Sequence, residues 1–306
     1  MGLQRRQAQR QLLRDRGAQN QAAQTPQSPR SRVRPGSLRA RFSACDVAAV
    51  GTGRNGVVLV FERLVVKEQE APSPVRVPWN AFPDVIVHSS IYRLKCLPAY
   101  YAAKSGDHKA ASQIAHALVK RENIPGVEFV VPVIQVDGGR YNAIPVAVGA
   151  VLAKQMGARL WLDVCQTNKV DHTDAGAQGR LQNQPIFGGT SPKGKCLICD
   201  DVVTYGATLA NLRGFLISTG AEVLAATAIG AAYGSTKLAP ELSLIVKLRR
   251  LYGDELERCA ETLGFGSDCL TAREAHFLAG MRTVERIRDC LAQGVGSANR
   301  SRGIRV

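Results

Sequence analysis

Apolar and polar positions follow two different periods along the central part of the chain. Between residues 84 and 235, short apolar runs alternate with stretches in which apolar residues recur every third or fourth position. The runs predict buried strands and the longer period predicts helices, as follows: strands at 129–134, 158–164, 195–199 and 223–229, and helices at 105–118, 143–156 and 208–219. This alternation predicts an α/β domain over residues 84–235, with a parallel sheet and helices on both faces.

Residues 236–293 lack strand-like runs and predict a small helical C-terminal module. One helix is expected over Leu242–Leu251, after Pro240. Thr271 and Glu274 have the spacing of a capping box, in which each side chain accepts a hydrogen bond from the other residue's backbone N–H. Residues 283–291 either continue that helix or form another. The module could dimerise, cover a site or bind a partner.

Residues 46–83 predict two short strands and a proline-rich linker. The strands are Val57–Phe61 and Leu64–Glu68, and four prolines follow in residues 71–83. The glycines from Gly51 to Gly56 match the spacing G-x-G-x-x-G. They lead into a strand, whereas a dinucleotide site needs a helix N-terminus facing the pyrophosphate. We therefore interpret them as a turn.

The formal net charge of +15 is concentrated at the two ends of the 306-residue chain. Residues 1–41 contain ten arginines and one acid, and residues 295–306 contain three arginines and none. Residues 1–45 lack enough apolar surface to offset the entropy of ordering, which predicts a disordered basic tail, with a second tail at 294–306. The tails could bind nucleic acid through counterion release. A solvated leader and, less favoured, an organelle transit peptide are the alternatives.

The apolar runs and the cysteines point to a cytoplasmic protein. There is no run of 18 apolar residues, which excludes a membrane span by this criterion, and no secretory signal pattern. Eight scattered cysteines in so long a chain are typical of reduced thiols. Cys196 and Cys199 face opposite sides of a predicted strand, so they are expected to be core residues rather than metal ligands.

The chemistry is concentrated in the stretch from Cys196 to Thr208. An apolar strand is followed by Asp200 and Asp201, then by a loop of small and hydroxyl residues, and then by a helix. A loop that precedes a helix can direct backbone N–H groups at a phosphate, and Gly206 allows close approach. Carboxylates suit sugar hydroxyls or Mg²⁺. The pattern therefore indicates a sugar-phosphate site.

This stretch resembles the phosphoribosyl-pyrophosphate (PRPP) motif of type I phosphoribosyltransferases, with Tyr205 as the one departure. The wider chain resembles the competence protein F (ComF-like) branch of that family, through Lys104 before a helix start, Val131–Ile134 before Arg140, and the R-x-x-N spacing from Arg180 to Asn183. The zinc module of that branch has no counterpart here. The glutamine that the family places upstream of Arg180 is not obvious in this sequence. His172, near that place, is interpreted either as a solvated residue or as a loop acid or base.

The resemblance implies a phosphoribosyltransferase that binds PRPP, or another ribose 5-phosphate compound, together with Mg²⁺. It implies ribose or indirect metal contacts for Asp200 and Asp201 and diphosphate contacts for Lys104, Arg140 and Arg180. The 5′-phosphate loop would be Thr204, Tyr205, Gly206, Ala207 and Thr208. Two alternatives stay open. The chain could be a non-catalytic PRPP-binding or accessory protein linked to DNA uptake or regulation, or a nucleic-acid-associated protein in which this fold is only a scaffold.

Overall fold

The computed structural model describes residues 50–53, 56–59, 75–137, 140–168, 170 and 176–290, without the side chains of 50–59, 137 and 140. The strands are β1 (Val50–Gly53), β2 (Gly56–Leu59), β3 (Ile86–Val87), β4 (Phe129–Pro132), β5 (Val136–Asp137), β6 (Arg140–Tyr141), β7 (Arg159–Leu160), β8 (Val164–Gln166), β9 (Phe187–Gly189), β10 (Lys195–Val203) and β11 (Glu222–Ala231). The helices are α1 (Ile91–Lys95), α2 (Tyr100–Lys104), α3 (His108–Leu118), α4 (Ile144–Met156), α5 (Ala177–Gln182), α6 (Ala207–Ser218), α7 (Leu242–Tyr252), α8 (Glu255–Thr262) and α9 (Ala272–Met281).

The central sheet has five parallel strands in the order β3-β11-β10-β4-β7. Helices α3 and α4 pack on one face with Leu197 and Cys199, whereas α6 packs on the other face with Cys196 and Ile198. The α/β prediction is confirmed, and so is the placement of the two cysteines on opposite faces. The middle strand, β10, thus delivers its last residues to the centre of the carboxyl edge, where ligands bind in open α/β sheets.

The predicted strand over 158–164 is divided in two by the structure. Only β7 joins the main sheet, and β8 pairs with β9 in an antiparallel ribbon. The close approach of Gly189 to Asp163 makes this ribbon possible. A Cβ on Gly189 would lie 1.8 Å from the Asp163 carbonyl oxygen, and its φ of +115° favours glycine.

The C-terminal region is helical, as predicted, and has a hydrophobic core of its own around Leu248, Leu256 and Leu278. The capping box is present at the start of α9: Thr271 Oγ1 accepts from Glu274 N–H, and Glu274 Oε2 accepts from Thr271 N–H. Arg282 ends that helix in the left-handed conformation, so residues 284–290 form a separate helical stretch.

The proline-rich segment contributes to the core from Val75 onward. Arg76 makes five hydrogen bonds, to both carboxylate oxygens of Glu274 and to Gln184, Asn211 and the Cys269 carbonyl. All five N–H donors of its guanidinium are therefore used. Trp79 Nε1 donates to the Leu270 carbonyl at 2.7 Å. The segment thus attaches the C-terminal module to the α/β domain.

Several sequence predictions lie outside the described residues. They are the disordered tails at 1–45 and 294–306, the strand Leu64–Glu68 and the loop containing His172. The glycine-spaced segment does enter a strand, since β1 and β2 form an antiparallel hairpin and Gly56 is the first residue of β2. None of the helices that the structure describes is both long and apolar enough to cross a membrane.

Candidate functional site

A three-residue loop, Thr204–Gly206, joins β10 to α6 and forms one wall of a pocket. Gly206 has φ +80°, and a Cβ there would lie 2.5 Å from Leu238 Cδ2, so both its conformation and its surroundings require glycine. The pocket is small, with a cavity volume of about 30 Å³, and it is open to solvent on one side. It is lined by Arg180, Asp200, Val202, Val203, Leu209 and all five residues of the predicted phosphate loop, Thr204 to Thr208.

The first turn of α6 offers donors to this pocket. Among the described residues, no side chain caps the helix at Gly206, and no acceptor binds the N–H of Tyr205, Gly206, Ala207 or Thr208. Free N–H groups at a helix N-terminus, together with the helix dipole, favour an anion. The loop therefore has the donors that a phosphate group requires.

The two carboxylates lie within β10 rather than beyond its end. The sequence predicts a strand that stops at Cys199, with both side chains directed at a crevice. In the structure β10 continues to Val203, because its pairing with β11 extends to Ala231. Adjacent residues of a strand point to opposite faces. Asp200 accordingly lines the pocket, whereas Asp201 contacts Lys104 of α2.

Asp200 is a buried carboxyl group with little to stabilise its charge. Burial raises the pKa of Asp200 well above the usual carboxyl range, and repulsion from Asp201 raises it further. Its Oδ1 accepts one hydrogen bond, from the Asp201 backbone N–H at 2.8 Å. Such a group accepts or donates a hydrogen bond according to its protonation, which suits contact with a sugar hydroxyl.

Lys104 forms an ion pair with Asp201, with 2.9 Å between Nζ and Oδ2. The lysine side chain is 39% exposed and the aspartate side chain 8% exposed. Burial opposes the charge of Lys104, but the attraction of Asp201 outweighs it, so the net effect is a raised pKa for Lys104. The contact places the Lys104 cation next to the acids, as the sequence resemblance implies. In this structure that cation already has Asp201 as its partner.

Two arginines lie near the aromatic ring of Tyr205. The guanidinium carbons of Arg180 and Arg273 are 5.9 Å and 5.3 Å from its ring centroid, within the range of a cation–π contact. Arg180 Nη1 also donates to Thr204 Oγ1 at 3.0 Å. Within the described residues, the buried Nε of Arg273 has no hydrogen-bond partner. The positive charge beside the loop comes partly from the C-terminal module, because Arg273 belongs to α9.

Most of the predicted site residues are brought together by the structure. Arg180, Asp200 and the loop share one pocket, and Lys104 reaches the same strand through Asp201. Arg140 lies in β6, but its side chain is outside the described part of the chain. The roles assigned to these residues stay predictions.

The carboxylates do not form a ready metal site. Asp200 is buried with its pKa raised, which disfavours the charged form that a metal ion needs, and Lys104 already neutralises Asp201. Nowhere in the described ranges do three His, Cys, Asp or Glu side chains cluster in a way that could hold a metal ion. Mg²⁺ typically retains several waters and is bound through one or two carboxylates plus substrate phosphates. The donor set therefore fits contact through water or ligand, and not direct coordination by both acids.

Sequence reasoning did not find three residues that surround the loop. The Ser235 hydroxyl donates to the Thr204 carbonyl, and the Thr271 hydroxyl donates to the Tyr205 carbonyl at 2.7 Å. Arg273 is the third. The capping box identified Thr271 as a helix start, but local spacing carries no signal for a bond across 66 positions.

Comparisons with known proteins give two curated relatives and no matching family model. Protein TraN of Escherichia coli is 33% identical over 227 residues, which cover 71% of this chain and 51% of that protein. An uncharacterized protein of Haemophilus influenzae is 32% identical over 183 residues, covering 56% of this chain and 41% of that protein. The chain thus spans about half the length, or less, of the curated relatives that it matches.

Similar solved structures include several phosphoribosyltransferases. Adenine phosphoribosyltransferase from Rhodothermus marinus is 17% identical, with a TM-score of 0.26, over 41% of this chain and 68% of that chain. Orotate phosphoribosyltransferase from Aeropyrum pernix is 19% identical, with a TM-score of 0.24, over 47% and 70%. Because these TM-scores are below 0.5, the α/β assignment rests on the strand order above. The narrower resemblance to the ComF-like branch stays a prediction.

Proposed function

We propose that the chain binds PRPP or a related ribose 5-phosphate compound and transfers the phosphoribosyl group to or from a nitrogenous acceptor. One observation carries this proposal. A single pocket combines a buried carboxyl group, a left-handed glycine and the uncapped N-terminus of the 12-residue helix α6. The helix end suits a phosphate, and the carboxyl group suits sugar hydroxyls, so the pocket matches a ligand that carries both.

The proposed roles follow from position. The N–H groups of the loop and of the first turn of α6 hold the 5′-phosphate. Asp200 bonds a ribose hydroxyl, and Arg180 stands beside the loop. Lys104 and Arg140 are proposed for the diphosphate. Mg²⁺ is proposed to enter with that diphosphate and to meet the acids only through water or ribose hydroxyls.

In the transfer itself, one bond at C1 of the ribose is exchanged for another. The bond from C1 to the diphosphate oxygen breaks, and the diphosphate leaves with the electron pair. The acceptor nitrogen forms the new bond to C1 and gives up its proton to the departing diphosphate or to water. Since the leaving group carries several negative charges, cations and positioning supply most of the catalysis.

A non-catalytic PRPP-binding protein is the second candidate, and one observation favours it. Lys104 is already paired with Asp201, and Arg180 already donates to Thr204. These contacts reduce the positive charge that the two residues offer to the departing diphosphate, on which transfer depends. A protein that only binds the ligand does not depend on stabilising that departure.

Calorimetric titration with PRPP in the presence of Mg²⁺ tests the ligand. Wild type is expected to bind, and Asp200→Asn is expected to weaken binding about ten- to hundredfold, because a buried hydrogen-bonding group that loses its partner costs about 1–3 kcal/mol. Glu261→Gln, an exposed acid on α8, is the matched control and should leave affinity unchanged. Absence of binding by wild type, or equal binding by Asp200→Asn, would contradict the assignment.

A second measurement separates the two candidate functions. Pyrophosphate release is followed with PRPP and a panel of nitrogenous bases. Release that depends on a base supports transfer. Binding of PRPP without release for any base favours the non-catalytic protein.

A further inference from the structure

We propose that Ser235 and Thr271, one after the last strand and one in the C-terminal module, are positioning residues that fix the phosphate loop. Each hydroxyl holds one backbone carbonyl of the loop, and thereby directs the following N–H at the ligand. The inference rests on the proposed function, because it assumes that the pocket receives a phosphate. It adds the reason why the C-terminal module belongs to the site.

The two contacts fall on successive peptide units. Ser235 Oγ donates to the Thr204 carbonyl, and Thr271 Oγ1 donates to the Tyr205 carbonyl at 2.7 Å. Both hydroxyl residues are only 1% exposed. Since both donor residues are buried, water cannot readily take their place, and the protein itself restrains the two carbonyl directions.

Fixing a carbonyl also fixes an N–H. In a planar trans peptide the C=O and the next N–H point in opposite directions. The Thr204 carbonyl therefore sets the N–H of Tyr205, and the Tyr205 carbonyl sets the N–H of Gly206. Neither N–H meets an acceptor among the described residues, and both residues line the pocket. The two donors are thus turned away from the C-terminal contacts and left available to an anion.

The hydroxyl of Thr271 can serve only one carbonyl. It has a single proton to donate and two lone pairs with which to accept. One lone pair accepts from Glu274 N–H at 3.2 Å, and the proton goes to Tyr205. Glu274 in turn accepts from Thr271 N–H and pairs with Arg76. The donor that orients the loop is therefore itself held by a buried ion pair.

Leu238 provides the third restraint from the same side. Its Cδ2 occupies the space that a Cβ on Gly206 would need, and its carbonyl accepts from Ala272 N–H at 2.8 Å. A loop of small residues with a left-handed glycine could otherwise rotate its peptide units at low cost. A loop that is ordered before the ligand arrives loses less entropy on binding.

The test compares variants that differ in the hydroxyl alone. Ser235→Ala and Thr271→Val remove a donor, whereas Thr271→Ser keeps it. Calorimetry measures the affinity for inorganic phosphate and for PRPP, and urea titration measures the free energy of unfolding. Each of the first two variants is expected to lose about tenfold in affinity for both ligands, and Thr271→Ser is expected to stay within about twofold of wild type.

Tyr252→Phe controls for a general loss of stability. It removes a buried hydroxyl bond to the Leu278 carbonyl, 2.6 Å long, within the C-terminal module and without contact to the loop. The fold should lose stability while the folded protein keeps its phosphate affinity. If Tyr252→Phe weakened phosphate binding as much as Thr271→Val, the positioning role would be overturned, because destabilisation alone would explain both.

Backbone NMR distinguishes a positioning role from a general effect on stability, because it reports on individual N–H groups of the loop. The ¹⁵N–¹H signal of Gly206 is expected to shift in Thr271→Val, and that of Tyr205 in Ser235→Ala, with wild-type positions restored in Thr271→Ser. Wild type that binds neither phosphate nor PRPP would overturn the proposed function, and the ligand part of this inference with it. If wild type binds phosphate or PRPP but the variants keep both its affinity and its amide signals, the positioning role is overturned and the proposed function is not.

Discussion

Replacing Asp200 by asparagine should stabilise the fold while it weakens the ligand site. The substitution keeps the shape and the Oδ1 that accepts from the Asp201 N–H at 2.8 Å, but it removes a buried carboxyl group that must take up a proton, or bear an unfavourable charge, when the chain folds. Substitutions that relieve strain at an active site commonly add about 0.5–2 kcal/mol to the free energy of unfolding. For a domain of this size we expect the melting temperature to rise by roughly 2–4 °C per kcal/mol.

The stabilisation should depend on pH in a defined direction. The pKa of Asp200 is raised in the folded state by burial and by Asp201. Between its unfolded pKa and its folded pKa, the folded state therefore binds more protons, and the free energy of unfolding falls as pH rises. Each unit of upward shift corresponds to about 1.4 kcal/mol. The advantage of the asparagine variant should be absent at pH 3 and should grow as the pH increases.

Urea unfolding of wild type and variant at several pH values measures this difference. Asp201→Asn is the matched control, since it changes the neighbouring carboxylate and breaks the 2.9 Å pair with Lys104. That variant should lose stability at neutral pH, the opposite sign. An Asp200→Asn protein that is destabilised at every pH, or whose pH profile is parallel to that of wild type, would refute the reasoning.

Three further substitutions probe the surroundings of the site. Gly206→Ala places a Cβ 2.5 Å from Leu238 at a φ of +80°, so the free energy of unfolding measured with urea should fall by about 1–3 kcal/mol, and PRPP titration should show weaker binding. A variant with unchanged stability and affinity would show that this position does not require glycine. Arg76→Leu leaves Glu274 buried without its cation and should lower the free energy of unfolding by about 3–5 kcal/mol, as measured with urea. Adding Glu274→Leu should restore part of that loss, whereas additive losses in the double variant would contradict a pairwise interaction. Burial, assisted by Lys120, lowers the pKa of His88 to about 4, so the free energy of unfolding should fall by up to about 3 kcal/mol as the pH drops from about 6.5 toward 4. His88→Gln should flatten this pH dependence, and an equally steep dependence in the variant would show that other groups cause it.

The elements that could be predicted from the sequence depend on near neighbours. The helix start at Asp107 is an example, since Asp107 Oδ1 accepts from the N–H groups of Lys109 and Ala110, as the pattern indicates. The loop from Thr204 to Gly206 is another, because a strand end, small residues and a helix start are adjacent in the chain. Local chemistry determines such features, so local sequence predicts them.

The length of β10 could not be predicted in this way. Two adjacent acids end the apolar run and so predict the end of the strand. Backbone pairing continues with β11, from Cys199 beside Thr227 to Val203 beside Ala231, whatever the side chains are. The opposite facing of Asp200 and Asp201 follows from that pairing, which depends on a strand more than twenty residues later.

The contacts that complete the site were also beyond prediction, because they join distant positions. Arg76 meets Glu274 across 198 positions, and Ser235 and Thr271 meet the loop across 31 and 66. No period or motif in a single sequence encodes such pairs. The sequence predicted the loop between β10 and α6, and the structure identifies distant residues that contact it.

The long separation between Arg76 and Glu274 has a consequence for the order in which the protein matures. Contacts between distant positions form late, because the loop-closure entropy must be overcome first. During synthesis Arg76 leaves the ribosome almost two hundred residues before the acid that neutralises it. Until that acid arrives, Thr271 has no fixed place beside Tyr205. A nascent chain should therefore complete its sheet before the loop between β10 and α6 reaches its final form, because the contact from Thr271 to Tyr205 needs the C-terminal module.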